Sequence, residues 1–478
     1  MRLMKNKILL TLVTLLALSS CSDWLDVKPK SQVKDNELYS SEAGFKEALS
    51  GVYSTLVSNS LYVKELRFGM VGVLANEWDY YTRVSGGYAG EEVFDYTGND
   101  AKGRIERIWL DMYNAIVNAN VILEVIDSKK SLFTGNNYNI IKGEAIALRA
   151  FAHFDILRCF GVSWAVDPNK PAIPYVTTYA PLQSPQLTVS QVVDEVIKDL
   201  KAAEELLKSD PIYTGQEITV FDDNGYLINR QLHLNYYAVK GLQARVYLHK
   251  GDHTNAALCA REVINSGEFS WVSQANMIAK NDPAGVAEQI WGIDVNNLNN
   301  IETNYFSASA GNNVFSIYEP RLAIYYADEY ITDDYRYLYL FTNGTGANAT
   351  SRYLDKFDTP EVTTLYYHDK MTMIKLSEMY YILAECQQAT GGDYLATMNE
   401  VRSARGLRPV IDAPSNFLNF LTTEFRKDFV GEGQLFFFYK RHNLEYIYGT
   451  ALNLVDLKAY TFPLPDSELS AADRKDNR

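Results

Sequence analysis

Apolar side chains recur at three- and four-residue spacing over long stretches of the chain, the pattern of helices that bury one face. From Arg104 to Asp127, Ile105, Ile108, Trp109, Met112, Tyr113 and Ile116 make one such stripe. Asn139 to Phe160 repeats it with Ala145, Leu148, Phe151 and Phe154, and Gly161 marks a stop. Thr188-x-x-Gln191 is a capping box that opens a third helix through Val192, Val193, Val196, Ile197 and Leu200. A fourth helix is predicted over about Leu234–His249 and a fifth over His253–Asn265. Ala244, Tyr247, Gly251, Ala256, Ala260 and Val263 give this pair the small–aromatic–turn–small spacing of a tetratricopeptide-type hairpin. Small residues let the helices approach, the aromatic fills the space beside them, and the glycine releases the first helix. A further pair is predicted from Met371 to Gln388 and from Tyr394 to Arg405, around Gly391-Gly392. The pattern predicts an all-α fold of helical hairpins with irregular segments between them.

Those segments carry the less regular signals. Asp222-Asp223-Asn224-Gly225, between Ile218–Val220 and Tyr226–Ile228, predicts a β-hairpin turn; it lacks the alternating ligands and closing glutamate of a calcium loop. Residues 68–100 and 296–316 have no period and predict long loops, which inside a compact protein are usually functional. The first holds Asn76-Glu77-Trp78-Asp79-Tyr80-Tyr81-Thr82-Arg83, with Tyr88 after a Gly-Gly; the second holds Tyr305-Phe306, with Tyr318 just beyond. A sugar offers apolar CH faces to aromatic rings and hydroxyls to Asn, Asp and Arg, so this mixture suits one. Asn76, Trp78, Tyr80, Tyr81, Arg83, Tyr88, Tyr305, Phe306 and Tyr318 are therefore the candidate ligand contacts. The competing reading packs Trp78 and some of the tyrosines onto the helices. Tyrosine, 34 residues of 478, is abundant enough for both uses.

At the N-terminus, Arg2, Lys5 and Lys7 precede an apolar run from Ile8 to Leu18, too short for the roughly 20 residues of a membrane span. Leu18-Ser19-Ser20-Cys21 follows and reads as a bacterial lipobox, which makes residues 1–20 a signal peptide and Cys21 the acylated N-terminus. Two or three acyl chains anchor a protein firmly. Three of the 45 basic residues lie in residues 1–20, leaving 42 against 59 acidic ones, a net charge of −17. That balance argues against nucleic acid or anionic lipid as a partner. Cys159, Cys259 and Cys386 sit in apolar helical contexts and read as buried thiols. No zinc-protease helix, Cys-x-x-Cys pair, nucleophile elbow or phosphate loop occurs. His249 and His253 are separated by the Gly251-Asp252 turn, so neither metal nor cofactor is expected, and no carboxylate pair is singled out for glycoside hydrolysis.

Ordered short matches run from Cys21 almost to the C-terminus. They are Cys21-Ser22-Asp23-Trp24-Leu25-Asp26, then Trp109-x3-Tyr113-x2-Ile116-x2-Ala119-Asn120, and Gly143-Glu144-Ala145-x2-Leu148-Arg149-Ala150. Ala244-Arg245-Val246-Tyr247-Leu248, Ser377-Glu378-Met379-Tyr380, Gly431-Glu432-Gly433-Gln434 and Phe462-Pro463-Leu464-Pro465 continue them. Together they resemble the SusD/RagB outer-membrane lipoproteins of Bacteroidetes. The resemblance implies four tetratricopeptide-like hairpins wrapped by long irregular loops, with a few short β-hairpins. It implies a tether over 21–34 and one domain over 35–478, its halves about 35–230 and 231–478. It also implies a non-catalytic, outward-facing lid that captures nutrients, commonly oligosaccharides, for a SusC-like TonB-dependent transporter. Glu424-Phe425-Arg426 in place of the family's usual Glu-Arg, and a short tail after Pro465, mark a divergent branch. Gly431-Glu432-Gly433 reads as a tight buried turn. A helical-repeat adaptor for protein or peptide, and a surface glycosidase, are the alternative functions.

Overall fold

The computed structural model describes residues 37–79, 87–180, 183–310, 314–326, 333–358 and 367–478. Cys21, the tether, and Tyr80, Tyr81 and Arg83 lie outside them. Ten helices of eight residues or more occur among the described residues: α1 (Glu42–Leu56), α2 (Asn99–Ile126), α3 (Asn137–Phe160), α4 (Val189–Leu207), α5 (Tyr236–His249), α6 (His253–Asn265), α7 (Leu376–Thr390), α8 (Tyr394–Ala404), α9 (Phe417–Phe429) and α10 (Gln434–Arg441). Each of α1 to α7 packs on the next, so the first eight helices form four successive hairpins. α3 is buried along most of its length, whereas α4 is amphipathic and shields it.

Local chemistry sets the ends. Thr188 and Gln191 form the predicted capping box on α4. Side chains of Ser41, Asn235, Asp252, Asp393 and Asn416 accept first-turn N–H groups of α1, α5, α6, α8 and α9, satisfying donors a helix start leaves free. Gly161 is the C-cap of α3, and Gly391, at φ 78°, closes α7.

Two sequence expectations are corrected. Met371–Lys375 is not helical: Lys370–Lys375 is a strand, paired antiparallel with Gln289–Asp294, and α7 begins at Leu376. All six strand residues are buried, Lys370, Thr372 and Lys375 among them, so the strand is covered on both faces and its polar side chains end in interior contacts. The Asp222–Gly225 turn joins no strands. Asp223 and Asn224 take φ 48° and 54°, and the Asp223 carboxylate binds Lys46 Nζ (2.5 Å) and Asn137 Nδ2 (2.7 Å), folding the turn against α1 and α3. The two long loops are also more ordered than expected, containing the short helices Met70–Leu74 and Asn299–Tyr305. The remaining sheets are a pair, Pro171–Pro174 with Gln186–Thr188, and a three-stranded one in which Ser351–Leu354 lies between Ile317–Tyr318 and Phe341–Asn343.

Gly431 and Gly433 are the tight turn expected before α10, both at φ 74°. A Cβ on Gly433 would lie 2.2 Å from the Leu66 carbonyl oxygen, so only glycine fits this approach. Between them Glu432 accepts Lys356 Nζ (2.6 Å) and Lys375 Nζ (2.9 Å). The buried ionic network continues through Asp428 to Arg405 (2.9 Å) and from Arg405 to Glu288 (2.5 Å). Burial opposes ionisation of Asp428, but Arg405, Lys375 and Arg336 more than offset it and hold its carboxyl well below the usual range. Arg336 pairs in turn with Asp334 (2.8 Å) and Glu424 (2.9 Å). This network joins α8, α9 and the turn before α10 to the strands, and thereby fixes the floor under the two loops.

Candidate functional site

The two aromatic loop segments meet, but chiefly in the interior. Trp78 is 1% exposed; its Nε1 donates to the Phe68 carbonyl (2.8 Å), and its ring lies 5.5 Å from those of Phe306 and Phe315. Phe306 packs on Phe68 and Phe357. Buried Tyr88 donates its hydroxyl to Glu65 (3.0 Å). Trp78, Tyr88 and Phe306 therefore form a seam between the loops and present no ring to solvent, which corrects their placement on a binding platform. Tyr305 is half-buried at the rim, beside Lys64.

Above the seam, Asp79 holds the outer ends of the loops together. Its N–H donates to the Ser316 carbonyl (2.9 Å), and its Oδ2 accepts the Tyr318 N–H (2.6 Å) and pairs with Arg321 Nε (3.0 Å). Arg321 also donates to the Glu77 carbonyl (2.7 Å). Tyr318, 41% exposed, is thus carried outward on a strand end whose backbone is fixed. Asn76 sits in the left-handed region and donates Nδ2 to the Tyr448 carbonyl (2.9 Å), which draws in a third segment. A Cβ on Gly449, at φ 93°, would lie 2.2 Å from Asn76 Nδ2. Tyr448 is 40% exposed and meets Tyr325 edge-on at 5.2 Å, and Arg426 lies 4.5 Å from the Tyr325 ring centroid and 5.7 Å from that of Tyr448.

With Tyr318 and Tyr448 exposed and the half-buried Asn76 and Asp79 joining their segments, this surface can stack on an apolar face and hydrogen-bond its edges, while buried Arg321 holds Asp79; Tyr446, two residues before Tyr448, is also exposed. Sequence reasoning brought in Asn76 and Tyr318 but missed Arg321, Arg426, Tyr446 and Tyr448. The run Tyr446-Ile447-Tyr448-Gly449 was the available signal: alternating tyrosines ahead of a glycine. Arg426 is placed by the unusual Glu424-Phe425-Arg426 segment, where Phe425 stacks on Phe429 (4.1 Å) and Phe438 (4.6 Å) and Glu424 turns into the ionic network. Beneath the face Glu77 is buried. Burial raises its pKa to about 8, although the Gly431 N–H and Lys356 pull the other way. Among the described residues no group of three or more His, Cys, Asp or Glu is arranged to hold a metal, and no helix is long and apolar enough to cross a membrane. Cys159, Cys259 and Cys386 are free, buried thiols.

Two family models cover most of the chain. Residues 23–220 match one described as "Starch-binding associating with outer membrane", and residues 290–476 match one described as "SusD family". The chain belongs to the SusD/RagB family. SusD-like protein P2 of Formosa agariphila is 27% identical over 305 residues, 61% of this chain and 53% of that one. SusD-like protein P38 of the same organism is 27% identical over 269 residues, 55% and 45% of the two chains. The chain spans about half the length of these curated relatives. Solved structures share the SusD fold. A SusD superfamily protein from Bacteroides thetaiotaomicron superposes with a TM-score of 0.70 at 21% identity, covering 92% of this chain and 100% of that one. Surface glycan-binding protein A from Bacteroides uniformis gives 0.69 at 18% identity, covering 91% and 99%.

Proposed function

We propose that this SusD-like protein is a non-catalytic, nutrient-binding lipoprotein of the outer membrane, acylated at Cys21, that captures oligosaccharide at the cell surface. It serves as the lid of a SusC-like TonB-dependent transporter. The observation that carries the ligand reading is the Asp79–Tyr318–Arg321 junction: an exposed ring whose backbone is fixed by Asp79, itself paired with the mostly buried Arg321, with Tyr448 and Asn76 beside it. Tyr305 at the rim, and Tyr80, Tyr81 and Arg83 by their place next to Asp79, complete the candidate contacts. The body is one domain over residues 35–478, with halves of about 35–230 and 231–478, behind a tether over 21–34. For the partner, Val220 and Phe221, 66% and 93% exposed on one turn, supply apolar surface of the kind that anchors a protein contact. Stacking contacts that are individually weak predict affinities in roughly the micromolar to millimolar range, suited to capture and hand-off. The test is a glycan array read together with chromatography for released sugar. Binding without release supports the proposal. Release of product from pure protein would make it a glycosidase, and binding of protein or peptide with no glycan retained would make it an adaptor.

A further inference from the structure

Along the first turns of α2 runs an open groove of about 540 Å3, within the roughly 300–1,000 Å3 usual for a ligand pocket. Asp100, Gly103, Arg104, Arg107 and Asp111 border it and follow one another at three- and four-residue steps, so they form one stripe on the helix, about 16 Å long. Asn59, Ser60 and Glu65 belong to its other wall. The walls are fixed: Ser60 Oγ donates to the Asp111 carboxylate, Glu65 accepts the Tyr88 hydroxyl (3.0 Å) and the Met70 N–H (2.9 Å), and Arg104 pairs with Glu91 (2.6 Å). Asp100 and Arg107 are exposed, and among the described residues neither enters an ion pair. Gly103 is the odd member of the stripe. It is the fifth residue of α2, a place where glycine is a poor helix former, and a Cβ there would meet no atom within 4 Å. Packing does not call for glycine here, and a larger side chain would stand in the groove.

Given the glycan-binding role, on which this rests, we propose that the groove is a second sugar subsite, for a neutral oligosaccharide whose hydroxyl groups span the α2 stripe. The stripe offers acceptors at Asp100 and Asp111 and donors at Arg104 and Arg107, and the amide of Asn59 can do both. A hydroxyl donates and accepts at once, so a row of hydroxyls answers both kinds. A polyanion would meet three carboxylates, counting Glu65, on a chain of net charge −14, and a polycation would meet both guanidinium groups. Among the described residues no aromatic ring lines the groove, so stacking falls to Tyr305. Lys64 pairs with Glu65 (3.2 Å) and lies 5.3 Å from the Tyr305 ring centroid, which puts that half-buried ring one lysine away from the groove wall. One oligosaccharide is then held by stacking at the aromatic rim and by hydroxyl contacts along α2.

Affinity gels of neutral and uronate polysaccharides, starch, galactomannan, polygalacturonate and alginate among them, test this with Gly103→Leu, Arg107→Ala and Tyr318→Ala proteins. Wild type is expected to be retained by a neutral gel and to run free on the polyuronates. On that neutral gel Gly103→Leu should weaken retention about five-fold or more while melting about 1–2 °C above wild type, because leucine suits a helix better than glycine. Arg107→Ala should weaken it roughly ten-fold, the loss of one hydrogen bond from a charged donor. Strongest retention on a polyuronate would overturn the neutral class. Migration of both groove variants with wild type would overturn the subsite, and release of Tyr318→Ala on the same gel would show that the ligand face stands without it. A Gly103→Leu protein that melts well below wild type would also overturn it, since the space would then belong to the fold. Wild-type protein retained by no gel would remove the glycan-binding role and the subsite together.

Discussion

Replacing Trp78 by alanine separates a core residue from a ligand platform. The indole is 1% exposed, lies 5.5 Å from the rings of Phe306 and Phe315, and donates Nε1 to the Phe68 carbonyl at 2.8 Å. Truncating a buried tryptophan costs about 3–5 kcal/mol in lost burial and residual cavity. Leaving the Phe68 carbonyl without its donor adds about 1 kcal/mol. In a body of this size each kcal/mol moves the melting temperature by roughly 1–2 °C, so Trp78→Ala should melt about 5–10 °C below wild type. The assay pairs thermal unfolding by circular dichroism with retention on polysaccharide gels run well below the lowered midpoint. Retention should persist there, weakened only as far as the loosened seam disturbs Asp79. An unchanged melting temperature together with lost retention would refute the reasoning, because it would mean the ring stands in the ligand's path and not in the core.

Further outcomes are expected from the same contacts. Gly433→Ala, which forces a Cβ to 2.2 Å from the Leu66 carbonyl at φ 74°, should lower stability by about 2 kcal/mol or more in urea titrations. Acid and base should act in opposite senses on two sets of carboxylates. Glu144 and Glu424 are buried, yet Arg230 and Arg336 respectively bring their pKa values down to about 2, so their contribution is present above the ordinary value of 4.5 and lost as pH falls toward 2. Glu77, raised to about 8, contributes stability below 4.5 that is lost as pH rises through 8, so Glu77→Gln should flatten the urea midpoint between pH 5 and 9; an unchanged slope would contradict the assignment. Cys21→Ser should move the protein from the membrane to the soluble fraction after ultracentrifugation; continued membrane association would contradict acylation at that residue.

Much of the helical frame was legible because its signals are local. The Thr188 capping box, the stripe from Ile105 to Ile116 and the Gly251 turn each act within one or two helical turns, and each appears in the structure where the spacing places it. Met371–Lys375 runs without a break into the helix that follows and is too short to show its own period, so only its pairing with Gln289–Asp294, some eighty positions earlier, distinguishes it as a strand. The candidate site was legible in kind but not in arrangement. An aromatic-rich, polar, aperiodic segment looks alike whether its rings face solvent or a second such segment. Trp78 finds Phe306, and Asp79 finds Tyr318 and Arg321, across more than two hundred residues of chain. No short-range pattern specifies such partners. Arg426 and Tyr448 escape sequence reasoning for the same reason, since they meet at Tyr325 from two different elements, Arg426 over its ring and Tyr448 edge-on.

Retention of Tyr318→Ala on glycan affinity gels tests the central claim most directly. Tyr318 is 41% exposed and its backbone, not its ring, makes the contact to Asp79, so truncation should leave the melting temperature within about 1 °C of wild type. A lost ring face is worth about 1 kcal/mol, or roughly five-fold in affinity, and visibly faster migration through the gel is predicted. Migration identical to wild type, for a glycan that the wild-type protein retains, would contradict a ligand face built on the Asp79–Tyr318–Arg321 junction.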